Sequence, residues 1–106
     1  MKEADLISVI MPAYNAEEFI EQAIQSVLIQ EVNWELISID DASIDQTEYI
    51  VQKYCTDDRI IYLKNIDNLG VAKTRNIGIE KCNIHSSCFL NSHISCFCNT
   101  QIINIF

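Results

Sequence analysis

Leu6-Ile7-Ser8-Val9-Ile10-Met11 is an almost unbroken apolar run that ends at Pro12. A strand with one wet face alternates polar and apolar residues. A continuous run suits a strand covered on both faces, as parallel sheets require. Pro12 is expected to close the strand, because a central strand cannot spare an N–H. A helical stretch follows. Asn15 is placed to cap it with Glu18 three residues on, and Ile20, Ala23, Ile24, Val27 and Leu28 recur at helical spacing to make one apolar face.

The pattern then repeats. Trp34-Glu35-Leu36-Ile37-Ser38-Ile39 reads as a second strand, and Ile50, Val51 and Tyr54 give the next helix its packing face. Arg59-Ile60-Ile61-Tyr62-Leu63-Lys64 reads as a third strand. A polar turn from Asn65 to Gly70 leads into a third helix over residues 71–81, interrupted by Gly78. Strands alternating with helices imply an α/β fold, a Rossmann-like βαβαβα unit on a parallel sheet with right-handed crossovers. Strand one is expected to be central among the three. A fourth strand should follow, and Cys88-Phe89-Leu90 and residues 101–106 are the candidates.

Asp40 and Asp41 stand side by side where the second strand gives way to its helix. Asp45 can cap that helix with Glu48 three residues on, and Ile44 and Tyr49 are spaced as a hydrophobic staple across it. With Asp45 capping, the acidic pair has no evident structural duty, although capping by the pair itself is the plainer reading. In open α/β sheets ligands bind outside the carboxyl ends of the strands. Sequential strands are usually neighbours, which sets Pro12, Ala13, Tyr14, Asn15, Asp40 and Asp41 on one rim. A tyrosine ring packs on a base or sugar, and a carboxylate accepts from a base N–H or a ribose hydroxyl. The combination makes sense as a nucleoside pocket. Arg75, near the start of the third helix, can reach that rim and meet a phosphate or base; Lys73 is a weaker candidate.

Composition narrows the options. At 106 residues, 49% of them apolar, the chain is sized for one domain with a real core. A net charge of −8 argues against nucleic acid as a partner. No apolar run reaches the length of a membrane span and no signal-peptide layout opens the chain, so a cytoplasmic protein is expected. There is no G-x-G-x-x-G after the first strand and no glycine-lysine phosphate loop, which disfavours a dinucleotide enzyme or a P-loop nucleotidase. A phospho-receiver would place its acids at the end of strand one, where Pro12-Ala13-Tyr14-Asn15 stands instead.

Every Asp, Glu, Lys and Arg lies in the first 81 positions, and the remainder holds four of the five cysteines and both histidines. This break divides the chain into a nucleotide-binding half-domain over 1–81 and a divergent or truncated tail over 82–106. Cys82, His85, Cys88, His93, Cys96 and Cys98 raise a zinc reading, but their spacing fits no established zinc arrangement.

Three segments together carry a family resemblance: Ile7 to Asn15, Ala23 to Gln30, and Trp34 through Asp40-Asp41-Ala42-Ser43-Ile44-Asp45-Gln46-Thr47. Asn68-Leu69-Gly70-Val71-Ala72-Lys73-Thr74-Arg75-Asn76-Ile77-Gly78 continues it. The chain resembles the amino-terminal portion of inverting family-2 glycosyltransferases of the GT-A fold, over about residues 6–81. Such enzymes transfer a sugar from a nucleotide-diphosphate donor to an acceptor hydroxyl. The resemblance implies that Pro12, Ala13 and Tyr14 line the nucleoside pocket. Asp41 would accept from the base, Asp40 would support that turn, and Arg75 would help hold the nucleotide; the partner is a nucleotide-diphosphate sugar, for which a uridine type is one candidate and the base is left open. Thr47, Asn76 and Gly78 look like scaffold.

The family continues with a glycine, a short apolar strand and a D-x-D-type motif that holds Mg²⁺ or Mn²⁺, then a general base. No acidic residue follows Glu80. The resemblance therefore implies no metal cofactor and no catalytic residue in this chain, with the tail arising from a frameshift or early stop, or as a divergent ending. The expected protein is glycosyltransferase-like, binds a nucleotide sugar, performs no transfer by itself and is prone to self-association. The alternatives are a remnant that binds nothing, and a component whose partner chain supplies the catalytic half.

Overall fold

The computed structural model describes residues 6–81 and 100–106. The elements run β1 (Leu6–Ala13), α1 (Ile20–Leu28), β2 (Asn33–Asp40), α2 (Thr47–Lys53), β3 (Ile60–Lys64), α3 (Val71–Lys81) and β4 (Thr100–Ile102). The strands form one sheet in the order β3-β2-β1-β4, with every pairing parallel. The expected α/β class and parallel sheet are therefore present.

Pleating divides the core in two. Val9, Met11, Ala13, Trp34 and Leu36 face α1 and α2 and pack with Ile20, Ile24, Val27 and Val51. Ile10, Ile37 and Ile39 point the other way and meet Ile77 and Ile79 of α3. The apolar runs of β1 and β2 are continuous because both faces are covered.

Several expectations need correction. β2, not β1, is central among the first three strands. Helices α1 and α2 lie on the same face, and two right-handed crossovers on one face carry the strands in one direction, β1 to β2 to β3. α3 lies on the opposite face, which sends the chain back to β4 on the far side of β1. Pro12 does not end its strand, which continues to Ala13. Its carbonyl accepts from Ile105 N at 2.9 Å. The proline nitrogen therefore faces the β4 side, where it leaves out one ladder bond, between that from Ile103 N to Ile10 O and that from Tyr14 N to Ile105 O, at the point where the regular pairing of β4 stops.

The tail is likewise not wholly separate from the body. Residues 100–102 pair with residues 8–10 of β1, Ile103 N donates to Ile10 O at 2.9 Å, and Ala13 and Ile105 form an isolated bridge. An uncovered β1 edge would present a row of unpaired backbone groups. An apolar segment that also packs Ile103 and Ile105 onto the α1-side core satisfies it. Residues 82–99, with the Cys88-Phe89-Leu90 strand candidate and the cysteine and histidine cluster, lie outside the described residues.

α3 approaches the sheet closely at Gly78. A Cβ built there would stand 2.5 Å from Ile10 Cγ2 and 2.5 Å from Ile39 Cδ1. The Ile39 terminal methyl can rotate away, but Ile10 Cγ2 is a β-branch methyl fixed on the strand. Gly78→Ala is expected to destabilise the fold by about 1–3 kcal/mol, read as a lower denaturation midpoint in urea at unchanged slope. No loss of stability would mean that α3 can lift off the sheet.

Candidate functional site

The loops that leave β1 and β2 are laced together by reciprocal bonds. Ala16 N donates to Thr47 Oγ1 at 2.8 Å and Glu17 N to Asp45 Oδ2 at 3.2 Å. In return Ile44 N donates to Asn15 Oδ1 at 3.0 Å and Gln46 N to Glu17 Oε1 at 2.9 Å. Asn15 N also donates to Ser43 Oγ at 2.8 Å. Each loop thus meets orphan donors of the other, as capping side chains do.

This lacing changes the expected caps. α1 begins at Ile20, preceded by Phe19 with no side-chain cap. Asn15 adopts a left-handed φ of 47°, which asparagine tolerates, and serves the neighbouring loop instead of its own helix. The N-cap of α2 is Gln46, without a side-chain cap, and Asp45 lies one residue earlier, where it braces the turn into the helix by accepting from Thr47 N at 3.0 Å and Thr47 Oγ1 at 2.6 Å. Glu48 does not close the capping box but reaches Lys64 Nζ at 2.8 Å. Ile44 and Tyr49 are 89% and 63% exposed, so no buried staple forms between them.

Asp40 and Asp41 are fully buried, and each has a structural duty that the sequence did not reveal. Asp40 Oδ1 accepts from Ser43 N at 2.8 Å and braces the turn in which Ala42 takes a φ of 62°. Its Oδ2 accepts from Tyr62 hydroxyl at 2.7 Å. Asp41 N donates to Ala13 O at 2.8 Å, which ties β2 to the end of β1. The Asp41 carboxylate accepts from Asn65 Nδ2 and Leu69 N on Oδ1 and from Gly70 N on Oδ2, each at 2.8 Å. It anchors the β3–α3 loop and the start of α3. Burial works to raise its pKa, but the donors of Leu69, Asn65 and Gly70 outweigh burial and hold the carboxyl below its ordinary 3.8. Asp45 is lowered in the same way, with the Thr47 bonds outweighing burial.

Of the residues singled out in the sequence, Pro12, Ala13, Tyr14, Asp40 and Asp41 meet on one rim at the carboxyl ends of β1 and β2. Pro12 and Ala13 are buried and contribute backbone, while Tyr14 is half-buried. Arg75 lies in α3, directly after the buried Thr74 whose Oγ1 accepts from Asn65 Nδ2 at 3.1 Å. It is half-buried, and among the described residues its guanidinium has no ion-pair partner. Asn65 and Thr74 carry the Asp41 geometry and were not picked out. Asn65 reads as an ordinary turn residue, and its bonding partner is 24 residues away.

The β4 side of the rim is apolar. Tyr14 N donates to Ile105 O at 3.0 Å, and the Tyr14 and Phe106 rings pack with centroids 6.1 Å apart. A groove of about 510 Å³ runs beside them, between α1 and this segment, past Phe19, Gln22 and Asn104. The segment that leaves β4 at this rim is Asn104-Ile105-Phe106, without a side-chain carboxylate. Oxygen ligands suit Mg²⁺ and Mn²⁺. Asp40 and Asp41 are occupied by internal donors, and among the described residues no group of three or more His, Cys, Asp and Glu is placed to hold a metal ion. The described residues do not fit a divalent cation.

The family described as glycosyl transferase family 2 matches residues 8–97, past residue 81, where the motif resemblance stops. The chain belongs to glycosyl transferase family 2. It is 43% identical over 89 residues to TuaG of Bacillus subtilis (strain 168), covering 80% of this chain and 34% of that protein. It is 42% identical over 86 residues to the UDP-Glc:alpha-D-GlcNAc-diphosphoundecaprenol beta-1,3-glucosyltransferase WfgD of Escherichia coli, with the same coverage of 80% and 34%. The chain therefore spans about a third of the length of these curated relatives. S. aureus TarS 1–349, solved in complex with UDP-GlcNAc, superposes with a TM-score of 0.68 at 32% identity over 73% of this chain and 23% of that one. The mannosyltransferase PcManGT from Pyrobaculum calidifontis, in complex with GDP-Man and Mn²⁺, shares the fold at 23% identity and a TM-score of 0.67, over 73% of this chain and 24% of that one. The described fold is thus a partial GT-A fold. Among the described residues no helix is long and apolar enough to cross a membrane.

Removing the Asp41 charge tests its structural duty. Asp41→Asn replaces one acceptor oxygen by an amino group that faces donors, and is expected to cost about 2–4 kcal/mol of stability. The sign of the pH effect follows from the lowered pKa. The contribution is full above the ordinary 3.8 and is lost as pH falls through the lower folded value. Acid titration of stability should therefore lose part of its low-pH limb in Asp41→Asn. An unchanged limb would show that the β3–α3 loop does not depend on this carboxylate.

Proposed function

We propose that this chain is the nucleotide-binding portion of a family-2 glycosyltransferase. It binds a nucleoside diphosphate, of uridine type, at the rim made by Pro12, Ala13, Tyr14, Asp40, Asp41 and Arg75. The observation that carries the reading is the convergence of that rim. The ends of two neighbouring parallel strands and the start of α3 meet at Asp41, while Arg75, without an ion-pair partner among the described residues, stands in the same helix. Tyr14 supplies an aromatic face for the base or sugar. Arg75 supplies a fixed positive charge suited to phosphate oxygens. The UDP-GlcNAc complex of TarS supports the uridine assignment by kinship.

Sugar transfer asks for more. A hydroxyl acceptor is a poor nucleophile without a base, and a diphosphate is a poor leaving group without a counter-charge. No carboxylate follows Glu80 in these 106 residues, so the chain is proposed to bind without transferring. The complete enclosure of Asp41 favours a second reading, in which the acidic pair is scaffold alone and the chain binds nothing.

Calorimetric titration with uridine diphosphate, with and without Mn²⁺, separates the two. Weak binding insensitive to Mn²⁺ is expected, and Arg75→Ala, which breaks no ion pair among the described residues, should weaken it about tenfold. Binding that strengthens sharply with Mn²⁺, or measurable transfer from a uridine-diphosphate sugar, would refute the metal-free reading. Absence of binding leaves the scaffold.

A further inference from the structure

The strand order reverses between β1 and β4. β1 leads by same-face crossovers to β2 and β3 on one side, and the chain returns from α3 to β4 on the other. In open α/β sheets the crevice outside the carboxyl ends at such a reversal is the place for a ligand. Here the crevice is filled by the chain itself. Ile105 N donates to Pro12 O at 2.9 Å and Tyr14 N donates to Ile105 O at 3.0 Å. These two bonds carry the next residue, Phe106, onto Tyr14, with ring centroids 6.1 Å apart and planes inclined by 34°.

We propose that Phe106 is an internal cover on Tyr14 that competes with the base of an incoming nucleotide. The proposal rests on the reading of this rim as a nucleoside diphosphate site. A base held between the two rings would need two contacts of about 3.5 Å, hence about 7 Å between parallel planes. The tilted pair at 6.1 Å leaves no such gap, so the base and Phe106 exclude each other on that face. The cover is lightly held. Phe106 is 49% exposed, and Ile105, not Phe106, makes the backbone bonds. The open groove of about 510 Å³ beside it, with Phe19 and Ala23 in its wall, offers the displaced ring an apolar resting place. Binding on Tyr14 therefore has to break one aromatic pair first, which lowers apparent affinity by the fraction of time the cover is open.

The test uses the 106-residue chain, uridine diphosphate and the variants Phe106→Ala and Arg75→Ala. Breaking an aromatic pair of this kind changes an equilibrium by about two- to twelvefold, so Phe106→Ala should bind that much more tightly. In the wild type the ring resonances of Phe106 should shift on titration with uridine diphosphate and reach a plateau with binding. Equal affinity in Phe106→Ala would overturn the cover. Weaker affinity would also overturn it and make Phe106 a wall of the pocket. If Arg75→Ala weakens binding while Phe106→Ala is neutral, the cover fails and the nucleotide site stands. If neither the wild type nor Phe106→Ala binds, the site fails and the cover with it. Thermal melts check that Phe106→Ala is folded, and Phe106→Leu, which keeps apolar bulk without an aromatic face, repeats the test if it is not.

Discussion

A buried carboxylate without hydrogen bonds is among the costliest things a small domain can contain. Asp41 is fully buried and escapes that cost through its donors, and much of the structure is arranged to supply them. Its backbone N–H holds the end of β1, and its oxygens take the amide of Asn65 and the N–H groups of Leu69 and Gly70. Those N–H groups stand at the start of α3, where the partial positive charge of the helix favours an anion. One residue thus links β1, through its backbone, with β2, the β3–α3 loop and the helix that covers Ile10, Ile37 and Ile39 on its face of the sheet.

The lacing of the two preceding loops does similar work on the other face. Thr47 accepts from Ala16 N and donates to Asp45, so one hydroxyl joins the approach to α1 with the start of α2. Asn15, Glu17, Ser43 and Asp45 complete the set. The rim is held by these bonds on one side and by the Ile105 bonds on the other, which leaves Tyr14 a narrow range of positions. A binding group held in place by its surroundings gives up little entropy when a ligand arrives. The same arrangement makes Phe106 an effective competitor, because it too is delivered to Tyr14 by fixed backbone bonds.

Much of the fold was legible along the chain. The strands and helices were readable because apolar period is a local property: Leu6 to Met11 runs continuously, and Ile20, Ile24 and Val27 repeat at helical spacing. The rim was legible because strand ends follow from strand directions. The duties of the acidic pair were not. Asp45 stands spaced as a cap, which makes Asp40 and Asp41 look free for a ligand, whereas the N-cap falls one residue later, at Gln46, and Asp45 braces the turn before it. Their actual partners, Tyr62 and Asn65, lie 22 and 24 residues away.

By itself the sequence determined the α/β class, the parallel sheet and the place of the acidic pair after β2. Each of these follows from local period and from the order of the elements. Only the tertiary structure decided that β2 lies between β1 and β3, that residues 100–102 close the β1 edge, and that Asp41 is enclosed. Strand order depends on which face each helix covers, and a carboxylate's role depends on which donors folding brings to it. Both are set by contacts between residues far apart in the chain, which no local pattern records.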